Sequence, residues 1–133
     1  MPFPVDRQYI TETEQKLAAK FPTGYIKRML ESNGGELETE MDTWTLYPIL
    51  DSSDKKRLSR TCNDVVRETK QAREWPGFPV EAIAIGGNGS GDQLVLLRSG
   101  ESPDSLADEV YYWDHETGAL EKIAESFSDL AAE

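Results

Sequence analysis

Two short apolar runs, Ile83-Ala84-Ile85 and Leu94-Val95-Leu96-Leu97, do most to limit what this chain can become. Neither approaches the roughly 18 apolar residues that a membrane-spanning helix needs. Being continuous rather than alternating, they read as central strands covered on both faces. A glycine-rich stretch, Gly86-Gly87-Asn88-Gly89-Ser90-Gly91-Asp92, connects them and reads as a tight loop. Its glycines can take positive φ, and Asp92 can hydrogen-bond the local backbone.

The elements on either side follow from spacing and punctuation. Thr11-Glu12-Thr13-Glu14 matches a capping box and predicts a helix with Leu17, Ala18 and Phe21 facing inward. Pro22 starts a second short helix through Tyr25, Ile26, Met29 and Leu30, which Asn33-Gly34-Gly35 stops. Strands are expected at Glu36–Glu40 and Thr43–Tyr47, with Met41-Asp42 near their turn. A helix over Leu58–Glu74 would place Leu58, Cys62, Val65, Val66, Thr69 and Ala72 on one face, with Cys62 as a buried thiol. Trp75-Pro76-Gly77-Phe78-Pro79 breaks it.

Strands at Ala82–Ile85, Gln93–Leu97, Glu109–Asp114 and Leu120–Ile123 come next, and Ser126 caps a last helix burying Phe127 and Leu130. Tyr111, Tyr112 and Trp113 alternate across a strand, so they divide between its two faces. The order of elements gives an α+β domain: a mostly antiparallel sheet of about five to six strands with packed helices. Residues 1–9 are expected as an N-terminal extension and residues 10–133 as a single domain.

Charge narrows the function classes. The 133 residues carry 14 Lys+Arg against 25 Asp+Glu, a net charge of −11. Residues 31–54 hold seven acids and no base, and residues 101–133 hold ten acids with only Lys122. Between them, residues 55–74 are net +4. Binding to nucleic acid is disfavoured, because neutralising phosphates requires a basic surface. A lone Cys62 and the absence of a secretion signal or membrane span make the cytoplasm the expected address.

The motifs that invite chemistry are weak ones. The glycine loop has no P-loop lysine, does not spell G-x-G-x-x-G and joins two strands, so no nucleotide or other cofactor is expected. Asp114-His115-Glu116 places an imidazole between carboxylates, and a hydrolase would use His115 with Asp92 or Asp114. Ser90, Ser99 and Ser126 lie in no nucleophile-elbow context, so no enzyme is expected. His115 is the one histidine, and no spacing argues for a metal.

The order Glu14, Leu17, Phe21-Pro22, Tyr25 and Leu30, then Asn33-Gly34-Gly35, then Trp44-Thr45-Leu46-Tyr47-Pro48, resembles the first half of a SMI1/KNR4-type domain of the SUKH superfamily. Phe78-Pro79, Ile83-Ala84-Ile85-Gly86, Gly91-Asp92, Val110 to Glu116 and Ile123 to Phe127 continue the likeness over about residues 10–132. The resemblance implies a non-enzymatic binding domain. It points to an immunity protein of a bacterial polymorphic or contact-dependent toxin system, neutralising a cognate toxin, such as a nuclease, by direct stoichiometric binding. The alternative it implies is a regulatory or scaffold module with no toxin.

A basic toxin domain is the expected partner, since carboxylates can sit where phosphates would in a basic cleft. The candidate binding residues are Glu36, Glu38, Glu40 and Asp42, with Asp104, Asp108, Tyr112, Asp114 and Glu116 from the C-terminal half. Oligomeric state is not legible from the sequence.

Overall fold

The structure is a computed structural model that describes residues 3–39 and 42–131. The helices among the described residues are α1 (Arg7–Leu17), α2 (Thr23–Glu31), α3 (Lys55–Arg60), α4 (Val65–Ala72) and α5 (Phe127–Ala131). The strands are β1 (Gly35–Glu38), β2 (Thr43–Leu46), β3 (Ile83–Gly87), β4 (Gln93–Arg98), β5 (Leu106–Trp113) and β6 (Leu120–Ala124). They form one six-stranded sheet in the order β1-β2-β3-β4-β5-β6, with each adjacent pair antiparallel. The expected α+β architecture is therefore a meander with helices packed on it. No helix among the described residues is long and apolar enough to cross a membrane.

Strand alternation divides the core in two. Trp44, Leu46, Ile83, Ile85, Leu94, Leu96 and Val110 face a larger core shared with Ile10, Tyr25, Met29 and Phe127 of α1, α2 and α5. Ala84, Val95 and Trp113 point the other way, into a smaller core with Ala72 of α4 and with Phe78. The apolar runs in β3 and β4 are thus covered on both faces, as their lack of alternation requires. Tyr112 packs against the larger core and Tyr111 against the smaller.

The edge of β3 shows how α4 is tied down. β2 reaches only Gly86 and Gly87 of β3, which leaves Ala84 without a strand partner on that side. Thr69 of α4 takes its place: its hydroxyl accepts from Ala84 N at 3.0 Å and donates to Ala84 O at 3.4 Å. A backbone pair that would otherwise be buried without a partner is satisfied by one side chain.

Some local expectations fail, each for a physical reason. The helix expected from the capping box starts earlier, at Arg7, after Asp6, whose side chain makes no capping bond. Ile10 and Thr13 are its buried face, which the earlier start continues by one turn. Glu14 instead accepts from Phe21 N at 2.7 Å, closing the turn after the helix. Ala18, expected to face inward, is exposed at the left-handed C-cap, with φ 56°.

The single helix expected over Leu58–Glu74 is two helices, α3 and α4. Asp54 caps the first by accepting from Arg57 N at 2.7 Å, and the Thr61 hydroxyl ends it by donating to Arg57 O at 2.8 Å. Thr61 is then held by Asp51 N at 2.9 Å, and Asp64 starts α4. The break turns Leu58 and Cys62 outward, so Cys62 is exposed rather than a buried thiol.

Arg98, at the end of β4, ties the other end of the molecule. Its guanidinium donates to Leu17 O at 3.1 Å, to Ala18 O at 2.8 Å and to Pro103 O at 2.9 Å. It also bonds Glu81 at 2.6 Å. The last carbonyls of α1, which no helical N–H can reach, are thereby satisfied.

Candidate functional site

In this meander the β1–β2, β3–β4 and β5–β6 hairpins all turn at the same end of the sheet. Thr39, Asp42 and residues 88–92 and 114–119 therefore gather there, although the chain visits them far apart. The described residues gathered there include Asp42, Asp92, Asp114 and Glu116 and no lysine or arginine.

Asp92 joins the turns. It is buried, at 8% exposure, and both oxygens are used. Oδ2 accepts from the Tyr112 hydroxyl at 2.5 Å and from Asn88 Nδ2 at 3.2 Å. Oδ1 accepts from His115 N at 3.0 Å and lies 2.6 Å from His115 Nδ1. The same Asn88 amide donates to Asp42 Oδ2 at 2.8 Å, so one side chain bridges the first turn and the second. The expectation that Asp92 hydrogen-bonds the local backbone is corrected: its one local partner is the Asn88 side chain, and Tyr112 and His115 come from β5 and the turn after it, because the adjacent hairpins bring them alongside.

Each turn is also braced internally. In the first, the Thr39 hydroxyl donates to Asp42 O at 3.0 Å and accepts from Asp42 N at 3.2 Å. In the third, Asp114 Oδ1 accepts from Glu116 N at 2.8 Å and from Thr117 N at 3.3 Å. Tyr112 is held edge-on to buried Trp44, with ring centroids 5.4 Å apart. Gly91 has φ +108°, and a Cβ there would fall 3.0 Å from His115 Cγ.

The electrostatics follow from this geometry. Burial alone would raise the Asp92 pKa, but hydrogen bonds from Tyr112, His115 and Asn88 outweigh it and hold the carboxyl well below its usual range. The bond to Asp92 pushes Tyr112 up to about 12, so the phenol stays a donor. The same carboxylate raises His115 and favours the imidazolium.

Asp92, Asp114 and His115 each offer a ligand atom within 4.8 Å of the others. Their atoms are already engaged in holding the turns, with both Asp92 oxygens and Asp114 Oδ1 accepting hydrogen bonds within the protein. Among the described residues no serine, threonine or cysteine side chain is hydrogen-bonded to His115. Glu116 Oε1 lies 4.0 Å from its Nε2.

The predicted binding residues separate into groups. Asp42, Tyr112, Asp114 and Glu116 come together at the turn end. Glu36 and Glu38 are exposed on β1 on either side of buried Leu37, and Glu40 lies outside the described residues. Asp108 is exposed on β5, and Asp104 is in the β4–β5 loop at the opposite end, where its carbonyl accepts from Lys20 N at 2.9 Å. Asn88, which bridges two turns, carried no signal beyond its place among glycines. Trp75, read only as part of a helix break, lies against His115 with ring centroids 5.7 Å apart.

A model of the SMI1/KNR4 family, also called SUKH-1, matches residues 4–133, taking in all five helices and all three turns. The chain belongs to the SMI1/KNR4 family. No curated protein matches it. SUKH-1 domains are commonly immunity proteins, which act by binding another protein. In this SMI1/KNR4 domain the match also covers Val5, which is buried in the larger core just ahead of α1.

Proposed function

We propose that this SUKH-1 chain is an immunity protein that neutralises a toxin of basic surface by direct stoichiometric binding through the turn end of its sheet. The observation that carries the reading is the Asp92 network. It fixes three acidic turns relative to one another before any partner arrives, so little ordering entropy remains to be lost on binding. A nuclease must hold phosphates, so its active cleft is basic, and fixed carboxylates can occupy that cleft in their place. Blocking the cleft in this way involves no chemistry by the SUKH-1 chain itself.

The test is co-expression with candidate toxins followed by a survival assay, with binding kinetics on any toxin that is neutralised. Glu38→Lys with Glu116→Lys should slow association about 10-fold or more at low salt and flatten its salt dependence. Asp104→Lys, at the other end, should leave the rate nearly unchanged. Tight association indifferent to ionic strength would sink the reading. A cellular partner bound at the same end, with no toxin neutralised, would make the chain a regulatory or scaffold module.

A further inference from the structure

Beside the β5–β6 turn stands the segment that follows α4. Its Trp75 is 49% exposed, whereas Trp44 and Trp113 are fully buried. The segment is nonetheless fixed: Trp75 N donates to Ala72 O at 3.0 Å, and Phe78 N donates to Trp75 O at 3.2 Å. Trp113 Nε1 donates to Gly77 O at 3.2 Å. Gly77 packs so closely on the turn that a Cβ on it would lie 3.4 Å from Gly118 Cα. An open groove of about 450 Å³ remains between the indole and the turn, with Pro76, His115, Glu116 and Thr117 in its walls.

The groove has one aromatic wall, one carboxylate and no lysine or arginine. Glu116 points into solvent with its side chain 80% exposed, and the nearby imidazole of His115 is already compensated by Asp92 at 2.6 Å. An anion would meet the carboxylate of Glu116. A purely apolar side chain would bury Glu116 without compensation. A cation with a flat, weakly hydrated head satisfies both walls at once.

We propose that this groove receives an arginine side chain of the protein partner, its guanidinium stacked on Trp75 and paired with Glu116. The inference rests on the turn end being the partner-binding face, and it adds Trp75 as the aromatic anchor of that face. Lysine fits less well, because its compact, strongly hydrated ammonium neither stacks nor pairs in a bidentate manner.

The test uses hexa-arginine and hexa-lysine peptides at equal ionic strength. It reads the indole N–H resonance of Trp75 and the solvent-sensitive tryptophan emission, which only this exposed residue should dominate. Hexa-arginine should shift both saturably and bind about three-fold or more tighter than hexa-lysine. Trp75→Leu should abolish that preference, and Glu116→Gln should weaken both peptides while the melting temperature stays near wild type. Equal affinities for the two peptides, or an arginine preference that survives Trp75→Leu, would overturn the proposal. A toxin neutralised equally well by Trp75→Leu would also overturn it while leaving the immunity reading standing. An arginine preference in the wild type that Trp75→Leu abolishes, with no toxin neutralised, would do the reverse.

Discussion

Nδ1 of His115 lies 2.6 Å from Oδ1 of Asp92, across 23 residues of sequence, and the same oxygen accepts from the His115 main chain. This pair joins the β3–β4 and β5–β6 turns, and its two pKa shifts run in opposite directions. The raised imidazole adds stability that is complete below its ordinary value of 6.5 and fades as the pH rises through the raised value. The lowered carboxyl adds stability that is present above its ordinary value of 3.8 and is lost only as acid carries the pH through the depressed one. Melting temperatures of wild type and His115→Gln should therefore differ most at mildly acidic pH and converge under alkaline conditions. A gap that widens with rising pH would contradict the pairing.

Asp92→Asn tests the same centre in a different way. The amide can replace only part of the acceptor set, so a buried donor from Tyr112, Asn88 or His115 is left short. Urea unfolding should show a loss of about 1–3 kcal/mol. The amide resonances of the three turns should shift together, because two of them bond this carboxylate and the first reaches it through Asn88.

Two glycines in the same loop separate backbone strain from crowding. Gly89 has φ +84° with open space where a Cβ would go, whereas Gly91 combines φ +108° with His115 in the way. Gly89→Ala should cost about 1 kcal/mol from backbone conformation alone. Gly91→Ala should cost clearly more and should lower the raised His115 pKa, as followed by NMR titration.

Thr69→Val keeps the shape of the side chain and deletes its hydroxyl. Ala84 N and O then lose their partner at the edge of β3, and chemical denaturation should register a loss of about 1–3 kcal/mol. Thr69→Ser should recover most of it.

Arg98→Lys changes no formal charge but cannot reproduce the planar fork that reaches Leu17, Ala18 and Pro103. A thermal melt should show the variant destabilised by about 1–3 kcal/mol. Hydrogen exchange should quicken at the end of α1.

Strands and turns were the most legible parts of the sequence, because the apolar runs of β3 and β4 and the glycines between them are local signals. The split between α3 and α4 was hidden by a helical spacing that happens to continue from Leu58 through Cys62 to Val65. Asp54 and Asp64, which stand at the N-caps of the two helices, lie in a stretch read only as polar and helical, and nothing local says that Thr61 will be held by Asp51 N. The turn end was only half legible. Asp114 and Glu116 could be picked out by charge, whereas the bridge from Asp42 through Asn88 to Asp92 depends on hairpins lying side by side. That is a property of sheet order, which no short window of sequence contains.

Tyr25 of α2 meets Phe127 of α5 edge-on, with ring centroids 5.4 Å apart, and both are buried. An early helix thus waits for a late one. During synthesis the hairpins can close one after another, but the Tyr25 side of the larger core stays wet until Phe127 has left the ribosome tunnel. A nascent chain stalled short of that point would present a greasy patch to chaperones, however well its sheet had already formed.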